Sequence, residues 1–82
     1  MTKEQIIQVC QKYEQILIDN EKTKEFSDKN GELSHIKWMV TEIPKYIKED
    51  RMEKVHRWLG FVQGVLWCNE IMSIREMKND NR

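Results

Sequence analysis

The stretch Val55-His56-Arg57-Trp58-Leu59-Gly60-Phe61-Val62-Gln63-Gly64-Val65-Leu66-Trp67-Cys68 decides the fold. Val55, Trp58, Leu59, Val62, Val65 and Leu66 recur at three- and four-residue steps, the repeat of an amphipathic α-helix. At about 100° per residue these side chains share one face. The opposite face holds His56, Gly60, Gln63, Gly64 and Trp67, with Arg57 at its edge. A glycine inside a helix costs about 1 kcal/mol relative to alanine. Gly60 and Gly64 therefore mark a place where something approaches the backbone closely. Two readings stay open. Another helix of the same chain fills the Gly60/Gly64 groove, which makes this helix the buried centre of a monomer, or a second subunit or a flat ligand fills it.

Working outward, the pattern predicts this helix over about residues 51–69, with Asp50 as its N-cap. Before it, Leu33, Ile36, Val40, Ile43 and Ile47 form a second helical stripe, widened by Met39 and Tyr46. Pro44 removes one backbone donor and crowds the carbonyl of Val40. The stripe keeps its phase through Ile47, which predicts a helix over about 33–49 kinked at Pro44, with Thr41 available to a freed backbone group. Further back, Thr2 followed by Gln5 is a capping-box pattern, and Ile6, Val9, Cys10, Tyr13, Ile16 and Leu17 predict a helix over about 3–21. The polar stretch from Glu21 to Gly31 reads as a loop pinned by Phe26, with Asn30-Gly31 as its turn. After Asn69-Glu70, Ser73-Ile74-Arg75-Glu76 is a second capping-box pattern and opens a short helix over about 73–79. Ile74 and Met77 are expected to close the core. No β-alternation or repeat is present. The fold expected is all-α: a single helical domain over residues 1–82, a three-helix bundle with a short fourth C-terminal helix.

The chain has 82 residues, room for one core only. Hydrophobic residues make up 39% and charged residues 34%, and fourteen basic side chains balance fourteen acidic ones. Zero net charge argues against general nucleic-acid binding, which rests on a basic excess. No apolar run spans a bilayer, and Met1-Thr2-Lys3-Glu4-Gln5 does not open a signal peptide, so no membrane association and a cytoplasmic location are expected. Cys10 and Cys68 each sit in an apolar helical stripe and are expected as buried free thiols. Together with His35 and His56 they are scattered singly, without the paired spacing of a zinc site, so no metal and no cofactor are expected.

Three helices each carry apolar residues off their stripe: Ile7 and Ile18 on the first, Trp38 on the second, Trp67 on the third. A small monomer that does not bury all its apolar surface gains burial by self-association, which predicts a homo-oligomer. Catalysis finds no phosphate loop, nucleophile elbow or local His/Cys pair to rest on. Charge is distributed unevenly: residues 34–69 hold six Lys/Arg against four Asp/Glu, and residues 1–33 hold five against seven. Lys45, Lys48, Arg51 and Arg57, with Trp38 or Trp67 as a stacking surface, make a nucleotide-like small molecule a second class of ligand. The candidate interface or ligand-binding residues are Trp38, Lys45, His56, Arg57, Gly60, Gly64 and Trp67.

The segments His35-Ile36-Lys37-Trp38-Met39, Glu42-Ile43-Pro44 and Arg51-Met52-Glu53-Lys54-Val55-His56-Arg57-Trp58-Leu59-Gly60-Phe61-Val62-Gln63-Gly64-Val65-Leu66-Trp67 resemble small helical proteins of unassigned function encoded by tailed bacteriophages. The resemblance spans about residues 35–79, roughly half the chain, and carries no functional residue with it. It implies an accessory protein in the host cytoplasm, acting on a host defence or regulator by stoichiometric binding. The expected function is therefore a non-enzymatic, oligomeric binding protein that engages a host factor. A sponge for a nucleotide-like signalling molecule and a small structural scaffold are the alternatives.

Overall fold

The computed structural model describes residues 1–22 and 31–81, and every regular element among them is an α-helix. They are α1 (Lys3–Glu21), α2 (Glu32–Lys48), α3 (Met52–Cys68) and α4 (Ile74–Asp80). The expected Phe26 anchor and Asn30 lie outside the described residues.

Both capping boxes form. Thr2 Oγ1 accepts from the Gln5 amide at 3.1 Å while Gln5 Oε1 accepts from the Thr2 amide at 2.7 Å, which satisfies two helix-end donors at once. Ser73 and Glu76 repeat the arrangement at α4. Gly31 stands at the N-cap of α2 with φ 70°, a left-handed conformation that glycine adopts at no steric cost. α2 runs unbroken through Pro44. Thr41 Oγ1 donates to the Trp38 carbonyl at 2.6 Å, so it does not serve the Val40 carbonyl that Pro44 deprives of its partner.

Asp50 does not cap α3 with its side chain. It takes a left-handed φ of 57° just past α2, where its amide bonds the Ile47 carbonyl at 3.0 Å and the Arg51 amide bonds the Tyr46 carbonyl at 2.9 Å. That paired closure is a Schellman motif, and it satisfies the last carbonyls of α2. The end of α3 repeats it around Glu70 (φ 58°), with Ile71 bonded back to Leu66 at 2.9 Å. Two helix ends thus close the same way, each with an acidic residue in a conformation that ordinarily favours glycine.

α2 packs against both α1 and α3 and carries six buried apolar residues: Leu33, Ile36, Met39, Val40, Ile43 and Ile47. It is the central element. α1 contributes Ile6, Val9, Cys10, Tyr13 and Leu17, and α3 contributes Val55, Leu59, Val62 and Leu66. Burying each of the larger aliphatic side chains stabilises the fold by about 1.5–3 kcal/mol. This overturns the reading of α3 as the buried centre of a monomer. Trp58 and Val65, expected in the core stripe, are half-buried and pack against the edge of the core.

Further differences concern the ends of the bundle. Met72, in the turn before α4, closes the core, whereas Ile74 is exposed and Met77 only half-buried. Cys68, expected buried, is an exposed free thiol, because it falls on the face of α3 away from the core; Cys10 is buried as expected. Ile7 and Ile18 are half-buried, so α1 presents no exposed large hydrophobic residue among those described.

Candidate functional site

The Cα trace spans 38 × 24 × 17 Å. In a body this small the outward faces of the helices meet solvent. Two of them are aromatic.

The first is the outer face of α3. Its core-facing residues recur at Val55, Leu59, Val62 and Leu66, and the same 3.6-residue period puts Gly60, Phe61, Gly64, Trp67 and Cys68 on the far side. A methyl group placed on Gly60 or Gly64 meets no heavy atom within 4 Å. Among the described residues no neighbouring helix fills the groove, which is open. Phe61 and Trp67 are about half exposed, at 52% and 50%. α4 supplies a flank: Ile74 and Met77 join Gly64 and Trp67 around a shallow depression of about 300 Å³, together with Gln63, Lys78 and Asn81. Gln63 belongs to the packing as well, since its amide donates to the Tyr13 hydroxyl and to Asn81 Oδ1, each at 3.0 Å. His56 and Arg57 are exposed on α3.

The second face runs from α2 on to α3. Trp38 is 48% exposed and its ring lies 5.6 Å from that of His35 and 5.7 Å from that of Trp58. Tyr46 meets Trp58 edge-on at 5.1 Å. Lys54 Nζ sits 4.0 Å from the Tyr46 centroid and 5.0 Å from that of Trp58, and the Arg51 guanidinium lies 5.3 Å from Tyr46. The negative ring faces hold these cations, so two of the basic groups in this region already have aromatic partners. Beside Trp38, a depression of about 330 Å³ is bounded by Glu21, Ser34, Lys37 and Thr41, with Lys37 bridging to Glu21 at 2.9 Å.

Of the residues singled out from the sequence, Gly60, Gly64, Trp67, His56 and Arg57 lie on α3 and Trp38 on the α2 face. Lys45 is ion-paired with Glu42 at 2.6 Å, and that hydrogen bond and charge raise its pKa above the ordinary lysine value. The depressions beside Trp38 and Trp67 include neither Lys45 nor Arg57. Lys45, Arg57 and a tryptophan are therefore not brought together as one phosphate-and-base site. The sequence reading missed Phe61 and Ile74. Phe61 had a usable signal, since it stands three residues before Gly64 and seven before Cys68. Ile74 had none, because its exposure depends on how α4 folds back.

Among the described residues no three His, Cys, Asp or Glu side chains gather as a metal site, and no helix is long and apolar enough to cross a membrane. No family model, no curated protein and no solved structure matches the chain.

Proposed function

We propose that this chain is a non-enzymatic helical binding protein that self-associates and engages a second macromolecule. In the phage setting implied by the resemblance over about residues 35–79, that macromolecule is a host factor in the host cytoplasm. One observation carries the reading: Trp38, Phe61, Trp67 and Ile74 are each about half exposed, on two separate faces. Scattered single hydrophobic residues need no explanation. Aromatic residues gathered beside an open glycine groove are what an interface core is made of. Two faces suit two tasks, one for a copy of the chain and one for an outside partner.

A nucleotide-like ligand has less support. Lys45 is held by Glu42, Lys54 and Arg51 are held by Tyr46 and Trp58, and Arg57 lies on a different helix from Trp38 and Lys45.

The test is affinity capture from a bacterial host lysate on immobilised wild type, Trp38→Ala and Trp67→Ala, after circular dichroism has shown equal helicity. The reading expects one host protein retained at near-stoichiometric amount by the wild type and lost with at least one variant. Equal, weak retention on all three surfaces would reject it.

A further inference from the structure

We propose that the outward face of α3 pairs with the same face of a second copy, antiparallel, about a two-fold axis at the level of Val62. The inference rests on the self-association part of the proposed function and names the face and register that perform it.

The argument begins with the glycines. Gly60 and Gly64 are equidistant from Val62, so an antiparallel pair crossing there sets Gly60 against Gly64 of the partner subunit, and Gly64 against the partner's Gly60. Both positions are open, which lets the two backbones approach closely. Phe61 and Trp67, half exposed in the single chain, are then covered from both sides, and the burial of apolar surface drives association.

Charge selects both the occupant and the direction. Arg57 and Trp67 are also equidistant from Val62, so each Arg57 comes level with the partner's Trp67, where an indole face attracts a guanidinium. Glu70 follows Trp67 by three residues. It stands in the left-handed closure just past the end of α3, so an antiparallel partner brings its own Arg57 to that end of the helix. Neither Arg57 nor Glu70 has an ion-pair partner among the described residues. The two-fold arrangement supplies one for each of them, twice over. A parallel in-register pair sets Arg57 against Arg57 and Glu70 against Glu70, so charge complementarity excludes it. An isologous contact of this kind closes on itself and gives a dimer, not a chain of subunits.

The experiment measures solution mass by sedimentation over a dilution series for six samples: wild type, Gly64→Leu, Arg57→Glu, Glu70→Arg, the double variant, and an equimolar mixture of the two single charge variants. Wild type is expected at twice the 10.0 kDa chain mass. Gly64→Leu and each single charge variant shift the dimer dissociation constant by about tenfold or more toward monomer, because each reversed charge meets a like charge twice. The double variant recovers dimerisation. So does the mixture, since a heterodimer of Arg57→Glu with Glu70→Arg restores both pairs. Recovery by mixing two weakened chains also excludes misfolding as the cause of the loss. A wild type that stays monomeric rejects self-association itself. A wild-type dimer indifferent to Gly64→Leu and to both charge reversals keeps self-association but overturns this face. Loss in the single variants without recovery on mixing overturns the antiparallel register.

Discussion

The Tyr13 hydroxyl donates to Asp80 Oδ2 at 2.8 Å and thereby ties α4 back on to α1. Tyr13 is fully buried, and its hydroxyl also accepts from Gln63 of α3 at 3.0 Å, so one oxygen joins three helices. Burial holds the phenol well above its ordinary pKa; the Gln63 hydrogen bond opposes that shift and the bond to Asp80 reinforces it. α4 needs such a tie, because it contributes no buried residue of its own. Lys12 adds a second one, bridging to Asp80 Oδ1 at 2.8 Å.

Tyr13→Phe keeps the ring in the core and removes the shared oxygen. Gln63 retains Asn81 and Asp80 retains Lys12, so neither is left bare. The cost is therefore expected at about 1–2 kcal/mol. Hydrogen exchange checks its location: amides of α4 should lose protection while those of α1 to α3 keep theirs. Uniform loss across all four helices would mean that the hydroxyl supports the whole bundle.

Gly60→Ala and Gly64→Ala should each stabilise the single chain by about 0.5–1 kcal/mol. The added methyl meets open space, and alanine loses less backbone entropy on folding than glycine does. Urea unfolding at a concentration where sedimentation gives a monomer is the measurement. Stabilising variants leave the glycines with no role inside the monomer fold, so their use lies in what approaches them from outside. Destabilisation would return them to the monomer's own packing.

Signals between near neighbours in the chain determine more of this molecule than distant ones. The Thr2/Gln5 and Ser73/Glu76 capping boxes involve residues three apart, and both form. The α1 stripe gave its bounds, and the phase of Ile43 and Ile47 carried α2 through Pro44. Asp50 was misread because an acidic residue before a helix suits an N-cap and a left-handed C-terminal closure alike, and only the bonds of Arg51 and Asp50 to the preceding helix distinguish them. The open state of Gly60 and Gly64 depends on α2, not α3, being the central helix. A single helical wheel carries no information on that. Ile74 and Met77 fall outside the core for a related reason, since the place of each depends on how the chain folds back after Glu70.

Lys54 sits against both Tyr46 and Trp58, which links the end of α2 to the start of α3. Lys54→Met preserves the length and apolar stem of the side chain and removes only the charge. The expected loss is about 0.5–1 kcal/mol, the ordinary worth of an exposed cation–π contact. A change in tryptophan emission should accompany it, because Trp58 loses a cation near its ring. Unfolding and fluorescence on the same sample provide the check, and a stability equal to wild type would reduce the arrangement to a chance neighbourhood.

Cys10 gives the fold an alkaline limit. Only 2% of the residue is exposed, and burial pushes its thiol up from 9.0 to about 12. The folded-state value lies above the unfolded one, so the stabilisation is complete below about pH 9 and is lost as pH rises from 9 toward 12. Cys10→Ala lacks the titrating group and supplies the baseline. Relative to it, wild type should lose about 1 kcal/mol between pH 8 and pH 10, read from urea midpoints at each pH. Exposed Cys68 makes an internal reference: toward a thiol reagent at neutral pH it should react at once, while Cys10 reacts only as fast as the chain opens. Two equally fast thiols in the folded protein would put Cys10 in contact with water, and the slope with pH should vanish with its burial.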